Sequence, residues 1–377
     1  MPEIRFPHLY LVDWPFQVVP DPRFSRIWAD REDLYRTVTG ILRKMARIPQ
    51  ASIHLIWAWY GAGKSHTLQH MAYLCMEKYQ GLHPVYTVFP KAVSSFLDFY
   101  QSLMRPLDVD LLIDQYASLT RGTSPGQLQR ALGMPADLLT ILKYLHIGDE
   151  RSRDIALQWL RAEKPHLATL RSMGINSRIQ STDDAVQVLR CIVRLMSFEH
   201  PGARLIWMID EFQRIGDFKA SLRSEINAGL HSAFNDCPTN FSLILSFSVR
   251  SQATMNAMLS PELLDRACMQ PVITIPPLTP DQAKVFVGDL LQAFRSPEHI
   301  PPSRLFPFDE GAVNAIVEQL EADPNVELKP RSIMQACDLI LGEADVEIEE
   351  RRLQTISREY ALQVLGRHNI DTQGDMS

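Results

Sequence analysis

Five short apolar runs recur along the chain: Ile53–Trp57, Val85–Phe89, Arg204–Ile209, Phe241–Phe247 and Val272–Ile275. Each is rich in β-branched or aromatic residues and too short for an independent helix, which predicts buried strands. Longer stretches of helical periodicity lie between them, the pattern of a parallel sheet covered by helices. Parallel strands need a crossover of about a dozen residues. Residues 90–203 separate the second run from the third, so the spacing predicts an insertion. Its helical stretches include Ser95–Leu103, Ala136–Leu145, Arg151–Ala162 and Asp183–Phe198, divided by Gly, Pro and Ser. After the fifth run only helical patterns follow, at Pro280–Phe294, Asp309–Glu321, Pro330–Leu341 and Glu347–Leu365. The expected organisation is an α/β core over 1–93 and 201–278, a helical insertion over 94–200, a C-terminal helical lid over 279–365 and a polar tail over 366–377.

Composition changes this picture little. Hydrophobic residues make up 46% and charged residues 22%, with a net charge of −6, the profile of a folded globular protein without a global basic signal for nucleic acid. The five cysteines, Cys75, Cys191, Cys237, Cys268 and Cys337, are scattered without zinc-ligand spacing and read as reduced core thiols. Prolines and charges interrupt the first thirty residues before a signal-peptide core can form, and no apolar run reaches the about 18 residues of a bilayer-spanning helix. The expectation is a cytoplasmic protein without a membrane partner.

The strongest chemical signal is Ala58-Trp59-Tyr60-Gly61-Ala62-Gly63-Lys64-Ser65, which follows the first predicted strand and opens the helix Ser65–Tyr79. It is a phosphate-binding Walker A loop with Ala58 in place of the first glycine. Glycines let the backbone turn sharply and present N–H groups to oxygen, and a helix N-terminus favours negative charge. Gly61, Ala62, Gly63, Lys64, Ser65 and His66 are therefore the expected nucleotide-binding residues. Lys64 supplies a positive charge to the terminal phosphates and Ser65 a hydroxyl to magnesium. A glycine-rich turn without a nucleotide is the plainer alternative.

The third strand ends in Ile209-Asp210-Glu211, the Walker B arrangement. Asp210 can hold the magnesium through its waters, and Glu211 can orient and deprotonate the water that attacks the γ-phosphate. The following Phe212-Gln213-Arg214-Ile215 reads as a solvated loop with one packed apolar pair. No Asn-Lys-x-Asp string for guanine occurs, which favours ATP. The fold class expected is thus an α/β parallel five-stranded P-loop NTPase sheet.

These two motifs, their long separation and the downstream strand and helical lid resemble AAA+ ATPases, especially the origin-recognition and transposition-regulator branch. Trp14-Pro15-Phe16 and Trp28-Ala29-Asp30-Arg31-Glu32 look like that branch's N-terminal segment, which borders the adenine pocket; a packed N-terminal arm is the alternative. The resemblance implies ATP and Mg2+ as cofactors, hydrolysis to ADP and phosphate, and homo-oligomers. It also implies a polar sensor at the end of the fourth strand, here Ser248 or Ser246 where asparagine is commoner. Arg266, before the fifth strand, falls where such proteins carry an arginine finger, with Arg250 as competitor. Arg331 matches the lid arginine that touches the γ-phosphate.

The segment Val93-Ser94-Ser95-Phe96-Leu97-Asp98-Phe99-Tyr100 is similar to one in BREX-type phage-defence ATP-binding proteins, which implies a role in phage defence or mobile-element biology. Arg121 to Arg178 carries nine Lys or Arg against five Asp or Glu, so DNA could be met through the insertion, although a solvated helical face accounts for the same charges. The leading function is an ATPase switch or motor acting on a protein or DNA partner. A monomeric nucleotide-binding signalling module with little hydrolysis, and a phosphotransferase, are the other classes; Glu211 argues against the last.

Overall fold

The computed structural model describes residues 4–17, 21–298, 300–322 and 327–368, apart from the side chains of Pro22 and Pro125. Most of the expected polar tail therefore lies outside the described residues. The chain forms two compact units, one drawn from 1–36, 59–70 and 275–377 and the other from 37–58 and 71–274.

The second unit contains the sheet. Strands β1 (Ser52–Ala58), β2 (Leu82–Val88), β3 (Arg204–Asp210), β4 (Phe241–Ser248) and β5 (Ile273–Thr274) are all parallel, in the order β2-β3-β4-β1-β5. Every position of β3 and β4 is buried, as central strands covered on both faces require. β2 starts three residues before the predicted Val85. It lies at a sheet edge, where Pro84 forfeits no ladder bond that the strand cannot spare.

Helices α1 (Glu32–Arg47) and α2 (Lys64–Lys78) begin in the first unit's chain segments and continue into the second. Residues 96–198 form seven helices: α3 (Phe96–Met104), α4 (Val109–Gly122), α5 (Pro125–Leu132), α6 (Ala136–Ile147), α7 (Glu150–Leu160), α8 (Leu167–Ser172) and α9 (Thr182–Phe198). Polar caps start several of them: the Ser95, Asp149 and Ser181 side chains accept from the N–H groups of Asp98, Ser152 and Asp184. These helices share one hydrophobic core with the sheet, in which Phe99 and Leu189 join Trp207 and Leu245. α10 (Ala220–Asp236), α11 (Gln252–Asn256) and α12 (Pro261–Ala267) complete the unit. At Gly229 of α10 a Cβ would fall 2.2 Å from ring carbons of Phe96, so only glycine admits that ring. Phe96, Phe99 and Tyr100, which carry the phage-defence likeness, are thus core residues.

The first unit has its own core, built from Leu9, Leu11 and Phe16 together with α13 (Pro280–Ala293), α14 (Glu310–Ala322), α15 (Pro330–Glu349) and α16 (Arg358–Arg367). Trp14 donates its indole N–H to Asp338 at 2.6 Å, and Phe16 meets Phe308 edge-on, so this part of the N-terminal segment is a packed arm. The helix expected over Glu347–Leu365 is not continuous. Arg351 adopts a left-handed conformation (φ 59°) after α15, and Ser357 caps α16 by accepting from the Tyr360 N–H; a cap of that kind starts a new helix. Among the cysteines, Cys268 is exposed and the other four are buried, which corrects the expectation for Cys268. Among the described residues no helix is long and apolar enough to cross a membrane.

Candidate nucleotide site

The chain passes from β1 directly into the loop Trp59–Gly63 and then into α2. Gly61 and Gly63 take φ of 77° and 98°, values that a side chain strains. Thr67 closes the turn, its N–H and hydroxyl both donating to the Gly63 carbonyl at 2.9 Å. Lys64 is buried, donates from Nζ to the Trp59 carbonyl at 3.0 Å and lies over the Tyr60 ring at 5.8 Å. Ser65 and His66 occupy the first turn of α2, where backbone N–H groups have no intrahelical acceptor.

Two loop carbonyls are held by other parts of the first unit. The Arg331 N–H at the start of α15 donates to Gly61 at 3.3 Å, and a Cβ on Gly61 would come within 3.2 Å of Arg331 Cβ. Arg31 donates to the Ala62 carbonyl at 3.1 Å and to the Pro276 carbonyl at 2.9 Å. Burial lowers the Arg31 pKa to about 10. The Trp28 ring packs against Tyr35, His66 and His70. His66 Nε2 donates to the Ile27 carbonyl at 2.7 Å, and burial lowers its pKa; the imidazole is committed to this packing, and its backbone N–H is what His66 can offer a phosphate. So Trp28–Arg31 borders the loop.

In the second unit, Asp210 and Glu211 sit at the C-terminal end of β3. Asp210 is buried; its Oδ1 accepts from the Ser246 hydroxyl at 2.8 Å and the Glu211 N–H at 2.9 Å, and its Oδ2 from the Tyr86 hydroxyl at 3.1 Å. Each carboxylate oxygen has about two lone pairs, so Oδ1 is filled and Oδ2 keeps one position open. Glu211 has a left-handed backbone (φ 55°). Its Oε1 accepts from the Ser248 hydroxyl at 3.1 Å and its Oε2 from the Gln213 amide at 2.7 Å, while the Gln213 amide oxygen accepts the Ser248 N–H at 2.8 Å.

The two serines are therefore not alternatives: Ser246 serves Asp210 and Ser248 serves Glu211. Gln213 corrects the reading of 212–215 as a solvated loop, although Phe212 and Ile215 are the packed apolar pair. Gln213 and Tyr86 had no motif to mark them. Arg250 and Arg266 are both exposed, at the end of β4 and on α12. Arg266 lines a cleft with Ser52, Ile53 and His54 at the start of β1.

The arrangement supplies a glycine turn feeding a helix N-terminus and, separately, two oriented carboxylates at a strand end, Asp210 buried and Glu211 half-buried. No protein-family model matches the chain, and no curated protein matches it. Solved structures do. The ORC2 protein of Aeropyrum pernix, solved with ADPNP and ADP, superposes with a TM-score of 0.52 at 11% identity, covering 92% of this chain and 69% of its own. The A. pernix ORC1 protein in complex with DNA gives 0.51 at 12% identity over 94% and 69%, and Cdc6p of Pyrobaculum aerophilum 0.50 at 13% over 93% and 71%. The chain has the α/β AAA+ P-loop fold, with a five-stranded parallel sheet. Its structural likeness is to the Cdc6/ORC type of that fold.

Proposed function

We propose that this chain binds ATP with magnesium and hydrolyses it to ADP and phosphate, as a self-associating switch or motor that acts on a protein or DNA partner. The observation that carries the reading is the pair of restraints on Glu211, because a general base must be aimed before it can take a proton from water. In this reading the N–H groups of Gly61 to His66 and the Lys64 ammonium receive the phosphates. Ser65 and Asp210 Oδ2 offer the hard oxygen donors that suit magnesium, which is usually held by one or two protein oxygens together with substrate phosphates; the ion would neutralise charge developing on the phosphates. Glu211 accepts the proton of the attacking water. Ser248 and Gln213 fix its carboxyl plane, and Ser246 and Tyr86 fix that of Asp210.

Arg331 would couple the C-terminal helices to nucleotide state through its contact with Gly61. A place in phage defence or mobile-element biology is carried only by the short α3 likeness and belongs to the same proposal, as does contact with DNA through the basic residues of 121–178. Turnover of ATP to ADP in the wild type, lost in Glu211→Gln by a factor of about 10² to 10⁴ with ATP still bound, is the expected result. Lys64→Ala should weaken ATP binding at least about tenfold, roughly 1.4 kcal/mol. Undiminished turnover in Glu211→Gln, or unchanged affinity in Lys64→Ala, would overturn the assignment. Sedimentation with and without ATP, and with single- and double-stranded DNA, separates an assembling ATPase from a monomeric switch.

A further inference from the structure

At the opposite end of β1 from the phosphate loop, within the second unit, lies a cleft of about 250 Å³. Six strand steps of about 3.3 Å separate Ser52 from Ala58, so the cleft is roughly 20 Å along the strand from the loop's entry. Ile41, Met45, Ile48, Ile53, Phe234 and Met269 form its apolar walls. Three cations line it, Lys44, Arg204 and Arg266, with the His54 imidazole and the neutral polar groups of Gln50, Ser52 and Gln270, and no carboxylate is among the residues that line it.

Two polar side chains at its base are buried. Arg204 is 1% exposed and His54 is 2% exposed. The Arg204 guanidinium donates to the Ser242 hydroxyl at 2.7 Å, to the Gln50 carbonyl at 3.1 Å and to the Ile48 carbonyl, while its Nε has no partner. His54 Nε2 is 3.1 Å from the Ser52 hydroxyl, which is itself 3.0 Å from that of Ser242, and His54 Nδ1 has no partner. At the rim Lys44 donates to the Gln270 side chain at 3.0 Å. Carbonyls and hydroxyls carry partial charges only, and a buried full charge without a counter-ion is costly. The consequence shows at His54, whose pKa falls to about 4 through burial and the nearby charges of Lys44 and Arg204. Arg204 is likewise lowered to about 10 by burial.

We infer that this cleft is an anion site, built to receive the carboxylate or phosphate group of a small amphipathic ligand against Arg204, His54 and Lys44 with its apolar body on the Ile and Met walls. Three observations converge on it: a cationic lining with no acidic residue, two buried side chains each with an unpartnered nitrogen, and an apolar wall. The volume lies just under the about 300 Å³ at which drug-sized sites begin, which suits a short chain. Neither charge nor apolar contact alone would select such a ligand; together they reject the neutral alcohol of the same length and the bare ion.

The test titrates the full chain with hexanoate, hexyl phosphate and hexanol while following the His54 imidazole by NMR, a readout local to the cleft and blind to the phosphate loop. Hexanoate, hexyl phosphate or both should bind and raise the His54 pKa, because the anion offsets the neighbouring cations; which of the two binds tighter identifies the oxyanion. Hexanol should not bind. Lys44→Glu should weaken the anion at least tenfold while leaving ATP affinity unchanged, whereas Lys44→Arg should retain it. Arg266 shares the rim and is left intact, since it belongs to the proposed catalytic machinery. Equal binding of hexanol, an unmoved His54, or Lys44→Glu binding as the parent does would overturn the inference.

Discussion

The Ser248 hydroxyl donates to Oε1 of Glu211 at 3.1 Å, although 36 residues separate them in the chain. β3 and β4 are parallel neighbours, and in parallel neighbours the C-terminal ends fall together, so a strand-end serine and a strand-end carboxylate become partners. Gln213 spans both, donating to Oε2 of Glu211 and accepting from the Ser248 N–H. From this relationship Ser248→Ala and Gln213→Ala should each lower kcat about tenfold, with ATP affinity and KM little changed, since they hold the base and do not touch substrate. Ser248→Thr should restore much of the rate by keeping the hydroxyl. Steady-state kinetics with a separate ATP-binding measurement decides it; a rise in KM at constant kcat would assign both residues to substrate binding.

Gly61 faces α15 so closely that Arg331 is its nearest neighbour. Gly61→Ala adds a Cβ both at a left-handed φ and 3.2 Å from Arg331 Cβ, and should cost about 1–2 kcal/mol of stability as well as weakening ATP binding. Arg331→Ala removes no loop hydrogen bond, because its backbone N–H makes the contact with the Gly61 carbonyl. It should therefore spare folding and reduce hydrolysis. Thermal denaturation and ATPase assays of the two variants side by side distinguish the effects. Equal Tm losses would show that the Arg331 side chain acts through packing.

Arg266 is exposed on α12, and its proposed role is in trans, on ATP held by a neighbouring copy. Arg266→Ala should bind ATP normally and hydrolyse it at least about tenfold more slowly when assembled, a guanidinium at the γ-phosphate being worth more than that in related chemistry. Mixing it with Lys64→Ala should recover part of the activity, because some interfaces then pair an intact arginine with an intact loop. Co-assembled mixtures without recovery would count against action in trans, and parental activity in Arg266→Ala would move the role to Arg250.

His54 carries a pH signature. Its folded pKa of about 4 lies below the ordinary value of 6.5, so between pH 6.5 and 4 the unfolded chain binds a proton that the folded chain refuses. Stability from this group is full above pH 6.5, declines as pH falls to about 4 and is flat below. The loss should be on the order of 3 kcal/mol. His54→Gln should flatten that part of the stability curve, as measured by denaturant unfolding from pH 7 to 4. An unchanged slope would mean that His54 titrates normally.

The sequence by itself determined the sheet and the loop that leaves it. Apolar runs bounded by breakers, and a glycine turn before a Lys-Ser helix start, are local patterns whose meaning does not depend on distant residues. All five strands and the phosphate-loop helix were legible in this way, to within a few residues. Asp210 and Glu211 could be named because adjacent carboxylates at the end of an apolar strand are also a local signal. Their partners could not. Tyr86, Ser246, Ser248 and Gln213 reach the carboxylates through strand order β2-β3-β4 and through the left-handed turn at Glu211, and sheet order is a choice among crossovers that no single segment encodes. The same holds at the other end of the sheet. Lys44, His54, Arg204 and Arg266 are unremarkable surface or strand residues until the packing of α1 and α12 beside β1 and β3 gathers the three cations and the imidazole around one cleft. Tertiary structure decided that proximity, because electrostatic interaction depends on distance and burial and not on separation along the chain.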